Sequence, residues 1–179
     1  LGPQGTGGLY IGERVNLNEF KPLKSGGTGS GSESEEQPEF LPDKYESGTL
    51  NAVGIAGLLA GLNFVLGKGV EEIRRQEMEL TKMLIDGLSD VPDLTIYGSQ
   101  NVNRQTAIVS FNIEGMEASE VGLRLDEQYG IMSRVGLHCS PAAHKTIGTF
   151  PSGTIRFSLG YFNTEEEVER AKRGARHVG

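Results

Sequence analysis

Apolar positions are unevenly spread along this chain. Before residue 50 they are scattered among glycines and polar residues. One short run there, Gly8 to Ile11, follows a glycine-rich turn and predicts a strand. A lone strand is unstable in water, so its sheet is expected to come from elsewhere. Residues 25–39 are rich in Gly and Ser, then in Glu. They carry almost nothing to bury, which predicts a mobile loop. From Asn51 to about Leu66 nearly every residue is apolar, predicting a buried helix with Asn51 as its cap. Gly67 and Gly69 interrupt that run.

Periodicity then becomes regular. Val70 to Leu88 repeats Ile73, Leu80, Leu84 and Leu88 on one face, with Glu, Arg and Lys opposite, and predicts an amphipathic helix. Leu94 to Tyr97 reads as a strand. Thr106 to Ile113 alternates, with Ala107, Val109, Phe111 and Ile113 on one side. Ala118 to Tyr129 is helical and closed by Gly130. Ile131 to Val135 and Gly153 to Leu159 read as strands. The last helix opens on the capping box Thr164-x-x-Glu167, with Val168, Ala171, Ala175 and Val178 as its apolar stripe. The pattern predicts an α+β or α/β domain of about 130 residues from Asn51 onward, with no internal repeat.

Val53 to Leu66 is too short for a membrane span, which needs roughly 20 apolar residues. Gly57 and Gly61 within it would mark a dimer seam in a membrane; in a soluble protein they mark close helix packing, which is expected here. With no signal-peptide pattern, a cytoplasmic chain is expected. The formal net charge of −7 argues against nucleic acid as a partner, because phosphate binding needs clustered Lys and Arg. A single cysteine among 179 residues excludes an intrachain disulfide and any CxxC motif. The chain opens on Leu, not Met, and is expected to be a piece of a longer one.

The densest polar cluster is Ser133-Arg134-Val135-Gly136-Leu137-His138-Cys139-Ser140-Pro141. A lone cysteine is ordinarily a small buried hydrophobe. Here Arg134, His138 and Lys145 lie close in sequence, and cations favour the nucleophilic thiolate. Pro141 ends the strand and implies an exposed loop, where reactive residues tend to sit. Arg156 alternates away from Ile155, Phe157 and Leu159, on the side of Thr154 and Ser158. It is either a solvated surface arginine or a fork for a carboxylate. Gly48-Thr49 precedes a helix start, which is either a plain turn and cap or an anion site. The glycines of residues 2–8 lack the Gly-Lys-Ser/Thr of a P-loop. His144 and His177 read as loop and surface histidines, and no metal set emerges.

Together these motifs resemble a known family. Leu1-Gly-Pro-Gln-Gly-Thr-Gly-Gly-Leu-Tyr-Ile resembles the segment after the cofactor lysine in class V aminotransferase-like enzymes, which depend on pyridoxal 5′-phosphate (PLP). Tyr45-Glu46-Ser47-Gly48-Thr49-Leu50-Asn51 is similar to their Glu-x-Gly-Thr-x-Asn motif. Arg134-Val135-Gly136-Leu137-His138-Cys139 resembles the Arg-x-Gly-x-His-Cys motif of group II cysteine desulfurases and selenocysteine lyases. The resemblance implies a fragment of an α/β PLP-dependent transferase of fold type I, mainly its small C-terminal α+β domain. Residues 1–50 would end the large cofactor domain, and residues 51–179 would form the linking helix and the small domain. Cys139 would be the catalytic cysteine, attacking the sulfur of PLP-bound cysteine and carrying it as a persulfide while alanine leaves. His138 would be catalytic beside it, and Arg156 and Arg134 would bind substrate. Gly48 and Thr49 would bind cofactor, Thr49 reaching the PLP phosphate across a homodimer. L-cysteine or a related amino acid and a sulfur-acceptor protein are the implied partners. The Schiff-base lysine would precede Leu1, so the fragment alone is expected to be inactive. Two alternatives stand beside this reading: a selenocysteine lyase, and a non-catalytic module that carries sulfur or binds a partner.

Overall fold

The computed structural model describes residues 2–31 and 33–179. Leu1 of the opening motif and Ser32 of the 25–39 loop lie outside the described residues. The chain forms two compact units, up to Lys68 and from Gly69 onward. The sequence reading divides it instead at 50/51. Helix α1 (Ala52–Lys68) groups with the N-terminal residues because the 2–6 turn packs on it. A Cβ at Gly57 would meet the Pro3 ring at 3.1 Å, and one at Gly54 would meet Thr6 at 2.7 Å. Gly57 thus allows a close approach, but to the Pro3 turn and not to another helix as expected.

Within this N-terminal unit, Asn51 Oδ1 accepts the Gly54 N–H at 3.0 Å and caps α1 as expected. Two expectations fail. Residues 8–11 form no strand: Leu9 and Tyr10 are exposed, and no partner strand among the described residues pairs with them. Helix α1 is not buried either, with Val53 86% and Leu66 77% exposed. No single helix among the described residues is long and apolar enough to cross a membrane. Lys44 is buried and donates to Leu17 O at 2.8 Å and to the Glu39 carboxylate, which ties residues 17–44 together.

The second unit is a two-layer α+β domain. Helix α2 spans Val70–Ser89 and strand β1 Leu94–Tyr97. Strand β2 (Ile108–Ile113) is followed by helix α3 (Ala118–Tyr129) and strand β3 (Arg134–Gly136). Helix α4 (Pro141–Thr146), strand β4 (Thr154–Ser158) and helix α5 (Glu165–Val178) complete it. The sheet runs β1-β2-β4-β3, every neighbouring pair antiparallel. Alternation decides its faces. Val109, Phe111, Ile113, Ile155 and Phe157 are buried against Leu80, Leu84 and Leu88 of α2, Val121 and Leu125 of α3, and Val168, Ala175 and Val178 of α5. The opposite face carries Ser110, Asn112, Thr154 and Arg156. An antiparallel sheet can present such a polar face.

Local chemistry explains the helix ends. Thr164 Oγ1 accepts the Glu167 N–H at 3.3 Å while Glu167 Oε2 accepts the Thr164 N–H at 3.0 Å, so the capping box forms as read. Gly130 closes α3 at φ +62°. The Ile131 N–H bonds back to Leu125 O at 2.9 Å, which takes it out of the sheet. β3 is therefore shorter than the 131–135 strand expected. The loop expected after Pro141 is instead α4, with the proline in its first turn, where a missing N–H costs nothing.

Candidate active site

Strand β3 brings the candidate residues together. Arg134 stands directly opposite Arg156 on β4, and Ser110 of β2 flanks Arg156 on the other side. Like charges in a cross-strand pair destabilise a sheet. β3 ends at Gly136, paired with Thr154. A Cβ on Gly153 would lie 2.2 Å from the Gly136 carbonyl carbon, so glycine alone fits there. This close approach sets the height at which the chain leaves the sheet.

The next four residues form a tight turn, closed by the Ser140 N–H donating to Leu137 O at 2.8 Å. Its two central residues are His138 at φ +50° and Cys139 at φ +59°. They sit in a turn of the I′ kind, not on a strand. Gly, Asn and Asp usually occupy such positions. Holding two other residues there costs on the order of 1 kcal/mol or more each, and such outliers persist only where the surroundings over-determine them.

The surroundings are polar. Arg134 Nη2 donates to Cys139 Sγ at 3.8 Å. Cys139 is exposed, and its thiol is free. His138 Nε2 and Thr154 Oγ1 are 3.1 Å apart, with Thr154 fully buried. Three polar atoms on this side are buried without a partner: His138 Nδ1, Arg156 Nε and Asn112 Oδ1. Asn112 uses its other end, Nδ2 donating to Gly153 O at 3.1 Å. Burial pushes the His138 imidazole below its ordinary pKa, helped by the charge of Arg156 and, less, by His144 and Arg134. The shift favours the neutral imidazole at neutral pH.

Lys145 is engaged elsewhere, its Nζ 5.0 Å from the Phe150 ring centroid. His144 departs from the surface reading. It is only 4% exposed, with Nδ1 2.7 Å from Thr149 Oγ1. Thr149 lies outside any pattern that hydrophobic periodicity detects, so the pair escapes sequence analysis. His177 is at the surface as expected, its Nδ1 2.7 Å from Arg173 O.

The structure thus gathers Arg134, His138, Cys139 and Arg156 in one unit. Gly48 and Thr49 belong to the other. Both are exposed, at the approach to the α1 N-terminus. Gly48 adopts φ +87° and its N–H donates to Gly27 O at 2.8 Å. The first turn of α1 carries no acidic residue, which suits an anion. Among the described residues no three His, Cys, Asp or Glu gather as a metal site.

The class-V aminotransferase family model matches residues 1–171. A probable cysteine desulfurase of Methanothermobacter thermautotrophicus is 38% identical over 173 residues, covering 94% of this chain and 42% of that protein. A cysteine desulfurase of Shigella flexneri is 37% identical over 181 residues, covering 99% of this chain and 43% of its own length. The chain therefore spans less than half the length of these relatives. The apo structure of a cysteine desulfurase from Thermococcus onnurineus NA1 superposes with a TM-score of 0.71 at 34% identity, over 76% of this chain and 33% of that one. The mixed α/β fold is shared with that solved enzyme, of which the chain corresponds to a part.

Proposed function

Because the chain belongs to the class-V aminotransferase family, we propose that it is part of a PLP-dependent cysteine desulfurase in which Cys139 receives the sulfur of L-cysteine. One observation carries the reading: the only thiol of the chain accepts an N–H from Arg134 and sits in a strained turn beside a second arginine whose Nε is buried and unpaired. A surface turn would need none of these features. The names of the relatives agree with it.

The residues have separable tasks. Arg156, on the polar face of β4 opposite Arg134, would hold the substrate carboxylate through its guanidinium fork. Arg134 orients and stabilises the attacking sulfur. The Cys139 thiolate supplies the electron pair of a new S–S bond. The Cβ–S bond of the substrate breaks, its pair remains on Cβ, and a proton there completes the methyl group of L-alanine. His138, whose imidazole is held toward its neutral form, would act as the general base beside the thiol. Thr49 and the N-terminus of α1 fit a phosphate, and would hold that end of the cofactor. Pyridoxal phosphate, when bound, supplies the electron sink.

The apolar, exposed side of α1 is consistent with a homodimer, across which Thr49 would serve the partner's cofactor. An exposed Cys139 suits delivery to a sulfur-acceptor protein. A free thiol fits the reducing cytoplasm.

The test is made on the full-length protein containing this chain. Incubated with L-cysteine and PLP, it should release alanine and gain about 32 Da on the peptide carrying Cys139. Cys139→Ser should abolish both. Undiminished sulfur release from that variant would overturn the assignment of Cys139.

A further inference from the structure

We infer that His144 is a positioning residue for the Cys139 turn: held by Thr149, it forms the wall that keeps the His138 ring against Thr154. The inference rests on Cys139 being the reacting group, but its geometry stands independently of turnover.

The turn between Leu137 and Ser140 is closed by one backbone hydrogen bond and is strained at both central residues. Something beneath it must restrict His138, because a histidine free to rotate would let the turn relax. Two contacts do so. Thr154 Oγ1 takes one end of the ring at 3.1 Å. The His144 ring packs on it at 5.6 Å between centroids, inclined by 48°.

His144 is itself fixed from three directions. Its N–H donates to Ser140 O at 3.3 Å, linking it to the end of the turn. Its carbonyl accepts the Thr149 N–H at 2.9 Å, and its Nδ1 meets Thr149 Oγ1 at 2.7 Å. Thr149 in turn accepts the Gly153 N–H at 2.7 Å through its carbonyl, at the entrance to β4. Helix α4 is thereby tied to the same strand that presents Thr154 and Arg156. His144 is buried with a polar ring atom bonded to Thr149, and a core position that needed only volume would be filled with less desolvation cost by an apolar residue. Its polar atom is used to orient a ring, and that ring faces His138.

The experiment uses the chain as it stands, since Cys139 is its only cysteine and alkylation reads that thiol alone. Iodoacetamide consumption at fixed pH is followed by intact mass, alongside the His138 Cε1–H resonance in the proton NMR spectrum. Thr149→Val preserves shape and deletes the hydroxyl. His144→Phe keeps a ring and deletes Nδ1. Each should slow alkylation roughly fivefold, the ratio that losing one net hydrogen bond produces, and shift the His138 resonance. Thr149→Ser should restore both, and the double variant Thr149→Val with His144→Phe should be no slower than either single one. Wild-type alkylation and an unmoved His138 signal in folded Thr149→Val and His144→Phe proteins would overturn the inference. So would a slowing that Thr149→Ser fails to rescue. If Thr149→Val does not fold, His144→Phe is tested alone, with His144→Asn, which keeps a polar atom at the Nδ1 position, as its rescue. None of these readouts requires desulfurase activity, so they can fail while Cys139 remains the sulfur acceptor, and the reverse.

Discussion

The close approach of Gly153 to Gly136 yields the sharpest test of how the turn is positioned. Replacing Gly153 with alanine adds a Cβ 2.2 Å from the carbonyl carbon, 2.3 Å from the oxygen and 2.6 Å from Cα of Gly136. All three atoms are backbone, so no side chain can swing aside. Relief requires the β3 end and β4 to separate by roughly 1 Å, at the pair Gly136–Thr154. Two costs combine. A left-handed alanine, at φ +79°, costs about 1–2 kcal/mol, partly offset by the lower entropy of the unfolded chain. Overpacking adds about 1–3 kcal/mol, and a lost ladder hydrogen bond about 1 more.

Gly148 provides the control. It has nearly the same dihedral, φ +76°, but an added Cβ there meets nothing within 4 Å. Gly148→Ala should therefore carry only the dihedral cost, about 1 kcal/mol after the offset. Urea unfolding followed by far-UV circular dichroism separates the two. With a slope of about 1–1.5 kcal/mol per molar, Gly153→Ala should lower the midpoint by about 2–3 M and Gly148→Ala by about 1 M or less. Cys139 alkylation should change in the first variant and not in the second. Equal midpoints in the two variants would show that the backbone contact does not hold the turn in place, and the account of its geometry would fall.

Two further outcomes follow from local chemistry. Thr164→Ala removes the hydroxyl half of the α5 capping box and should cost about 1 kcal/mol, seen as a fall of about 4–8 °C in the melting temperature of the second unit. The His138 imidazole is held below its ordinary value of about 6.5 by burial first and Arg156 second. Below 6.5 the unfolded chain therefore binds the proton more readily than the folded one. Stability should be constant above that pH and fall as the pH drops through the folded value. His138→Gln should flatten this part of the pH profile, and an unchanged slope in that variant would place its origin in another group.

Much of the second unit was legible because its signals are short-range. β2 alternates cleanly, the α2 stripe repeats at helical spacing, and Thr164 with Glu167 names its own helix start. Failures came where a partner decided the outcome. Residues 8–11 have strand composition but no described partner, and composition alone cannot supply one. Apolar α1 was read as buried, yet nothing in the described chain covers Val53 or Leu66. Ile131 looked like strand until the α3 end claimed its N–H. At the site, residue types were readable and relations were not. Cys139 and Arg134 are five residues apart and could be associated by eye. That Arg134 opposes Arg156 depends on strand register, and that His144 lies under His138 depends on α4 folding back after Pro141.

Those relations bear on why the polar side of the sheet is not merely a solvated surface. A solvated face would satisfy its groups with water and would gain by separating its charges. This one opposes two guanidinium groups across a strand pair and buries a donor of one of them unpaired. It also keeps two non-glycine residues left-handed in one turn. Each feature costs stability, by mechanisms that single substitutions could remove: Arg134→Thr for the repulsion, glycine at position 138 or 139 for the strain. Their coexistence on β3, β4 and the turn that follows β3 suits the proposed binding of an anion beside Cys139. Under the proposed function, a carboxylate between the opposed arginines would offset their repulsion. If so, an anion should recover part of the cost. A small carboxylate such as acetate or L-alanine should raise the melting temperature of the second unit in the wild-type chain, the rise growing with the logarithm of ligand concentration above the Kd, and should do so far less in Arg156→Met. Equal stabilisation of both proteins would mean that the anion acts elsewhere, and that the paired arginines have some other cause.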